Sequence, residues 1–132
     1  MRGVLWGTTV YNTLCALLIA FPASAPGQLA GLPEQVPLSY RVMTALMVLL
    51  WAGAYAWLAN QPEPNRPMVA FAAVGKAIVF AGVLVLAFAK EVPIILACVA
   101  SGELVFAAYF TWWLIGAQPS IPRGVPGSKI HS

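Results

Sequence analysis

The chain has 132 residues, of which 61% are hydrophobic and only 8% are charged, and its formal net charge is +3. A soluble domain carries about a quarter of its residues charged, so this composition excludes a water-soluble globular protein and predicts that lipid surrounds most of the chain. The few scattered charges exclude a nucleic-acid-binding surface, and the length supports one domain.

Four apolar segments are long enough to cross a membrane, which takes about 20 mostly apolar residues in a helix. They occupy about residues 4–21, 40–59, 68–89 and 93–116. We therefore predict an all-α fold, a four-helix transmembrane bundle with up-down-up-down topology. This domain covers residues 1–117, and a Pro/Gly-rich tail follows over residues 118–132.

The connections between these segments are marked by prolines, which end or start helices. The first segment is expected to be a retained span and not a cleaved signal, because Pro26 would directly follow the cleavage motif. The long first connection is expected to lie along the membrane interface. The short second connection, NQPEPNRP, predicts that helices two and three form a tight antiparallel hairpin. The third connection, near residues 90–92, is tighter still.

Basic residues in short connections predict the orientation in the membrane, since they favour the cytoplasmic side. The side with both termini and the second connection carries four of them, and the opposite side carries Arg41 and Lys90. We therefore expect both termini in the cytoplasm. The four basic residues on the terminus-bearing side are Arg2, Arg66, Arg123 and Lys129.

Lys76 stands in the apolar run FAAVGKAIVF, where an unpaired charge costs about 2.5–3.5 kcal/mol. Glu103 is the matching anomaly in the last span. Counted from the turn near Glu91, Lys76 lies about 22 Å and Glu103 about 18 Å along their antiparallel helices. We predict that they form an intramembrane ion pair. Asn12 of the first span lies at nearly the same depth and is predicted to accept from Lys76 or donate to Glu103.

Small side chains on a membrane helix mark places where another helix approaches closely. Five such residues lie near the faces that carry the two charges. We predict helix packing at Ala72, Gly75, Gly82, Ala100 and Ala107.

Two interpretations of the charged centre remain open at this point. The pair fixes helix register and rotation, as buried polar groups do in some proteins. Alternatively, it marks a proton relay or a ligand site, as intramembrane ionisable residues often do. The spans hold no relay partners, which favours a structural role or a polar ligand head group. Cys15 and Cys98 are far apart and His131 lies in the tail, so neither a metal site nor a cofactor is expected.

The runs PEPNRPMVAFAAVGKAIVF and GELVFAAYFTWWLI resemble small bacterial four-helix membrane proteins that are loosely grouped with DoxX-like proteins. The resemblance covers about residues 40–116 and implies the same fold and a bacterial inner-membrane location. The acid of that pattern is more often aspartate, so Glu103 departs from it. DoxX-like proteins have been linked to quinone and thiol redox chemistry, but this chain has no redox cysteine pair to support it. The matching positions are Asn65, Arg66, Pro67, Gly75, Lys76 and Glu103.

The leading functional expectation is a non-enzymatic accessory or scaffolding subunit of a larger membrane assembly or homo-oligomer. Its expected partners are the lipid bilayer and other membrane subunits or itself. Alanine- and glycine-rich helix surfaces and the lack of reactive groups favour it. The alternative is a small transporter or lipophilic-ligand binder that uses the Lys–Glu pair. A quinone-linked membrane oxidoreductase component is the second alternative and the least favoured, because no cofactor ligand can be named.

Overall fold

The structure is a computed structural model and describes residues 1–116. Its five helices are α1 (Arg2–Ala20), α2 (Ala25–Leu29), α3 (Leu38–Ala59), α4 (Arg66–Phe88) and α5 (Ile94–Gly116). The four long helices are each long and apolar enough to cross a membrane. The predicted all-α bundle of four spans is confirmed. The predicted tail lies outside the described residues.

The start of α4 shows how the second connection encodes a helix boundary. The Asn65 side-chain oxygen accepts a hydrogen bond from the Met68 backbone N–H at 3.2 Å. Pro67 occupies the first turn of α4, where backbone N–H groups have no partner within the helix. The N–H group that proline lacks therefore costs no helix hydrogen bond. An asparagine cap followed by proline therefore fixes where α4 begins.

The turn from α4 to α5 closes through two backbone hydrogen bonds. The Glu91 N–H donates to the Leu86 carbonyl at 2.9 Å, and the Lys90 N–H donates to the Ala87 carbonyl at 3.1 Å. Lys90 itself has a φ of 61°, the left-handed conformation that this type of helix ending requires. The turn reverses the chain within a few residues, so α4 and α5 run antiparallel and in contact.

The first connection contains the short helix α2, which the apolar pattern did not predict. The Ser24 hydroxyl caps this helix by accepting from the Gly27 N–H at 3.3 Å. Further along, Gly31 has a φ of 74° and lies against the start of α5. A Cβ at this position would lie 2.5 Å from Ile95 and 2.7 Å from Pro93. The connection thus crosses the end of the bundle and contacts α5. Its expected position along the membrane interface stays a prediction.

The four long helices are arranged as two antiparallel pairs, α1 with α3 and α4 with α5, within which the backbones approach closely. The predicted tight hairpin of α3 and α4 is wrong. Trp51 of α3 stacks on Phe71 of α4 with ring centroids 5.6 Å apart. Such bulky rings between two helices keep their backbones apart, so side chains make the contact between the pairs.

The two ends of the bundle are packed differently. We call the end with residue 1 and the 60–65 connection the terminus half, and the end with the 21–37 and 89–93 connections the connection half. The terminus half holds large side chains that are at most 1% exposed. Arg2 and Arg66 also join helices there, by donating to the backbone carbonyls of Ala59 and Leu114. The buried side chains of this half are Leu5, Leu58, Val69 and Phe110.

Candidate functional site

Lys76 and Glu103 form an ion pair in the middle of the bundle. The Lys76 Nζ lies 2.5 Å from Glu103 Oε2, and the two side chains are 4% and 14% exposed. Both residues stand near the midpoints of their helices, so the contact lies far from either end of the spans. The predicted ion pair is confirmed.

Asn12 is the third member of the polar centre. Its Oδ1 accepts a hydrogen bond from Lys76 Nζ at 3.2 Å, and its side chain is buried. Asn12 belongs to the α1–α3 pair and Lys76 to the α4–α5 pair, so this hydrogen bond crosses between the pairs. Because Oδ1 is the acceptor, the amide N–H₂ group of Asn12 remains available as a donor.

Three aromatic rings surround the ammonium group of Lys76, each from a different helix. The distances from Nζ to the ring centroids are 5.6 Å for Tyr11, 5.1 Å for Tyr55 and 5.4 Å for Phe106. At this range the ring faces attract a cation, and more strongly where water is excluded. Lys76 therefore contacts a side chain from each of the other three long helices.

The sequence interpretation missed this aromatic environment and the glycine that makes room for it. The Tyr11 hydroxyl donates to the Val99 carbonyl at 3.1 Å, which brings the ring against α5. A Cβ at Gly102 would lie 2.7 Å from that ring, so only glycine leaves the space. Two features of the sequence could have indicated this environment. Gly102 directly precedes Glu103, and Tyr11 directly precedes Asn12.

The five small residues predicted to pack helices together behave in two ways. Ala72, Ala100 and Ala107 are buried. At Gly75 and Gly82, by contrast, an added Cβ would meet nothing within 4 Å, so the predicted close packing is wrong at both. Gly75 borders the space between α3 and α4, and Gly82 is exposed on the outside of the bundle.

A cavity of about 170 Å³ lies between α3 and α4 and reaches the polar centre. We call it the aromatic cavity, since rings from both helices form much of its wall. Its wall includes Phe71, which is 60% exposed, so the cavity extends toward the outer surface of the bundle. Its lining includes Trp51, Tyr55, Phe71, Gly75, Lys76 and Glu103.

A second cavity, of about 140 Å³, lies toward the connection half, between α1 and α5. We call it the apolar cavity. Ala30 and Leu32 of the first connection border it, which places that connection over its end. Val48, Val79 and Glu103 line both cavities, so the two adjoin beside the ion pair. The rest of the apolar cavity's lining includes Tyr11, Cys15, Leu18, Leu96, Val99 and Ala100.

Three polar groups at the aromatic cavity have no hydrogen-bond partner within residues 1–116. They are the second carboxylate oxygen of Glu103, the amide N–H₂ of Asn12 and the hydroxyl of Tyr55. Tyr55 is only 3% exposed. Over residues 1–116 the one fully buried side-chain nitrogen or oxygen without a partner is Arg41 Nε. The three groups at the aromatic cavity therefore keep some accessible surface, and together they are suited to receive a polar head group that both donates and accepts hydrogen bonds.

Over residues 1–116, no three histidine, cysteine, aspartate or glutamate side chains come together. Around the ion pair, the side chains offer hydrogen bonding and electrostatic attraction.

Comparisons with protein-family models, with curated proteins and with solved structures find no significant match to this chain. The resemblance to DoxX-like proteins therefore stays a prediction. Inference about function rests on the ion pair and the two adjoining cavities.

Proposed function

We propose that this multi-pass membrane protein binds a lipophilic ligand and holds the ligand's polar head group at the Lys76–Glu103 centre. The observation that supports this most directly is a cavity at mid-span with three unpaired polar groups. A pair that served helix packing alone would be expected to be enclosed and fully satisfied, because unpaired polar atoms in a low-dielectric interior are destabilising.

The bundle's construction supports lateral access to this site. Trp51 and Phe71 pack between α3 and α4 at the aromatic cavity, and the exposed Phe71 ring brings the cavity wall to the outer surface of the bundle. A ligand dissolved in the bilayer would reach the ion pair from this side, between α3 and α4, without crossing water. A lipophilic molecule therefore fits the route better than a water-soluble one.

The packing also favours binding over transport across the membrane. In the terminus half, side chains such as Leu58, Val69 and Phe110 fill the centre of the bundle. A transporter needs its site to open alternately to both sides, and this half would have to unpack for that. A binding site reached from the side needs no such movement.

The proposal is tested by identifying what copurifies with the protein in lipid nanodiscs prepared from native membranes. The variant combines Lys76→Met with Glu103→Leu, which removes both charges at once. The matched control combines Lys90→Met with Glu91→Leu, which removes the same two residue types from the exposed turn. Mass spectrometry of the organic extract, normalised to protein, compares the three samples.

We expect a lipophilic compound at near-stoichiometric amount in the wild-type and control samples and its loss from the Lys76→Met, Glu103→Leu sample. Circular dichroism and size exclusion verify that the variants are helical and monodisperse. Retention of the compound by the double variant, or an extract of the wild type that contains bulk lipid alone, would contradict the proposal.

For location, we propose the bacterial inner membrane with both termini in the cytoplasm. The support is the resemblance to DoxX-like proteins and the excess of basic residues on the terminus-bearing side, which has four of them against Arg41 and Lys90 on the other side. Fusion of a fluorescent protein that folds only in the cytoplasm to the C-terminus tests the orientation. Absence of fluorescence with normal protein levels would contradict it.

An accessory or scaffolding subunit is the second candidate function. A groove of about 550 Å³ runs along the outer faces of α4 and α5, and small side chains allow a further helix to approach there. Native mass spectrometry of the nanodisc sample tests this candidate, and a monomer without other subunits would contradict it. The alanines of the groove are Ala73, Ala77, Ala107 and Ala108.

A further inference from the structure

We infer that the ligand is an uncharged amphiphile, with a small oxygen-bearing head in the aromatic cavity and an aliphatic chain in the apolar cavity. This inference rests on the proposed function and adds the chemical class of the ligand. It follows from three properties of the site, which are its net charge, its unpaired polar groups and the dimensions of the two cavities.

The net charge of the site excludes an ionic head group. Among residues 1–116, Lys76 and Glu103 are the only charged side chains that line either cavity, and they neutralise each other. A ligand with a net charge would leave one charge uncompensated in the middle of the span. On insertion scales, that penalty corresponds to binding weakened by about 100-fold relative to an uncharged ligand of equal shape.

The unpaired polar groups require a head that donates and accepts hydrogen bonds. The free carboxylate oxygen of Glu103 accepts only, and the amide N–H₂ of Asn12 donates only. The Tyr55 hydroxyl does either. A hydroxyl head group provides a partner for both the acceptor and the donor, since its hydrogen is donated to Glu103 and its oxygen accepts from Asn12. A pure hydrocarbon would leave all three protein groups unpaired.

The volumes of the two cavities set the size of the ligand's parts. The aromatic cavity, at about 170 Å³, is close to the volume of about 150 Å³ that accommodates a benzene molecule in an apolar protein cavity. The head is therefore no larger than roughly one six-membered ring. Beyond Val48 and Val79 the apolar cavity has aliphatic walls, such as Leu18 and Leu96, which suit a hydrocarbon chain.

Photolabelling in phosphatidylcholine nanodiscs tests the inference with three probes of the same chain length. The first is dodecanol with a diazirine in the chain, and the others replace its hydroxyl by a sulfonate or by a trimethylammonium group. Each is compared at equal mole fraction in the bilayer, with unlabelled dodecanol as competitor. Peptide mass spectrometry then locates the labelled residues.

We expect the alcohol to label residues around the apolar cavity, such as Leu18 and Val99, in a saturable and competed manner. Both charged probes should need about 100-fold higher mole fraction for the same labelling. Glu103→Gln leaves the site with a net positive charge. In that variant the sulfonate should gain at least about tenfold over the alcohol, because it can pair with Lys76.

A matched pair of variants tests whether the ligand's aliphatic chain lies in the apolar cavity. Ala100 lines the apolar cavity and is buried, whereas Ala108 on the same helix faces the outer groove. Ala100→Leu fills the cavity and should weaken labelling by the alcohol by about tenfold or more. Ala108→Leu should leave it unchanged, and helicity is checked for both.

The outcomes separate this inference from the proposed function. If a charged probe labels the cavity of the wild type as strongly as the alcohol, the inference is overturned and ligand binding stands. The inference is likewise overturned, and ligand binding stands, if the alcohol labels Ala100→Leu and Ala108→Leu equally or if the copurified compound carries a net charge. If none of the three probes labels saturably, both are overturned.

Discussion

Lys76 donates a hydrogen bond to Asn12 across the boundary between the two helix pairs, while its ion pair with Glu103 stays within its own pair. The Tyr55 ring adds a contact from α3, so one side chain touches all three neighbouring helices. Rotation or sliding of any one of the four helices would disturb at least one of these contacts. We therefore expect the polar centre to set the relative rotation and depth of the spans.

The ion pair is predicted to be strongly coupled in stability measurements. Lys76→Met or Glu103→Leu alone leaves one buried charge without its partner, which should lower the free energy of unfolding by about 3–5 kcal/mol. The double replacement removes both charges and should lose much less than the sum of the two single losses. Unfolding in mixed micelles with increasing SDS measures all four proteins. Additive losses would show that the two charges do not interact in the membrane.

The hydrogen bond between Lys76 and Asn12 should contribute measurably to stability. Asn12→Leu removes it and should cost about 1–2 kcal/mol in the same unfolding assay. Thr8→Val is the control, because the Thr8 hydroxyl is also buried but donates to the Val4 carbonyl of its own helix at 2.9 Å. The control should change stability by less than about 0.5 kcal/mol. Equal effects from the two replacements would argue against a specific role for the hydrogen bond between the helix pairs.

Gly102 is predicted to be the glycine that tolerates substitution least among the spans. Gly102→Ala places a methyl 2.7 Å from the Tyr11 ring and should destabilise by about 1–3 kcal/mol, because the ring has to move. Gly82→Ala serves as the control, since its added methyl meets nothing within 4 Å. It should leave stability unchanged or raise it by up to about 1 kcal/mol. The midpoints of thermal unfolding of both variants are measured in one detergent. Equal midpoints would contradict this prediction.

The left-handed residue in the α4–α5 turn predicts a stabilising substitution. Lys90 has a φ of 61°, a conformation that costs a residue with a Cβ about 1 kcal/mol and glycine almost nothing. Lys90→Gly should therefore raise the midpoint of thermal unfolding. Ala89→Gly, one residue earlier at a φ of −71°, should lower it instead. A lower midpoint for Lys90→Gly would contradict the assigned turn.

The depth of the charged residues could be predicted from the sequence because a helix rises by a fixed distance per residue. Counting from the turn near Glu91 was enough to bring Lys76 and Glu103 together. Asn12, on the first span, was expected at nearly the same depth. The four spans followed from hydropathy over lengths that match the hydrocarbon core.

Rotation about the helix axes could not be predicted in the same way. A membrane helix is apolar on its lipid-facing and its buried sides alike, so the pattern does not distinguish them. The expected packing at Gly75 and Gly82 was wrong for this reason. The tight α3–α4 hairpin was inferred from the short connection, which limits the distance between helix ends but not the spacing set by Trp51 and Phe71 further along.

The aromatic surroundings of Lys76 were missed because they are assembled from three different helices. Tyr11, Tyr55 and Phe106 show no common spacing along the chain, and aromatic residues are ordinary in membrane spans. Only the relative rotation of the helices brings their rings to one ammonium group. The short helix α2 was missed because a five-residue segment carries too little periodicity to be recognised.

The turn at residues 89–93 has a further consequence during synthesis of the protein. It joins the lysine-bearing helix directly to the glutamate-bearing one, so both can leave the insertion machinery as a single hairpin. Once paired, that hairpin carries no net charge into the hydrocarbon, and neither ionic side chain has to partition alone. Asn12 lies on a helix that is made earlier than this hairpin, so we expect its amide to be in the bilayer when the hairpin arrives.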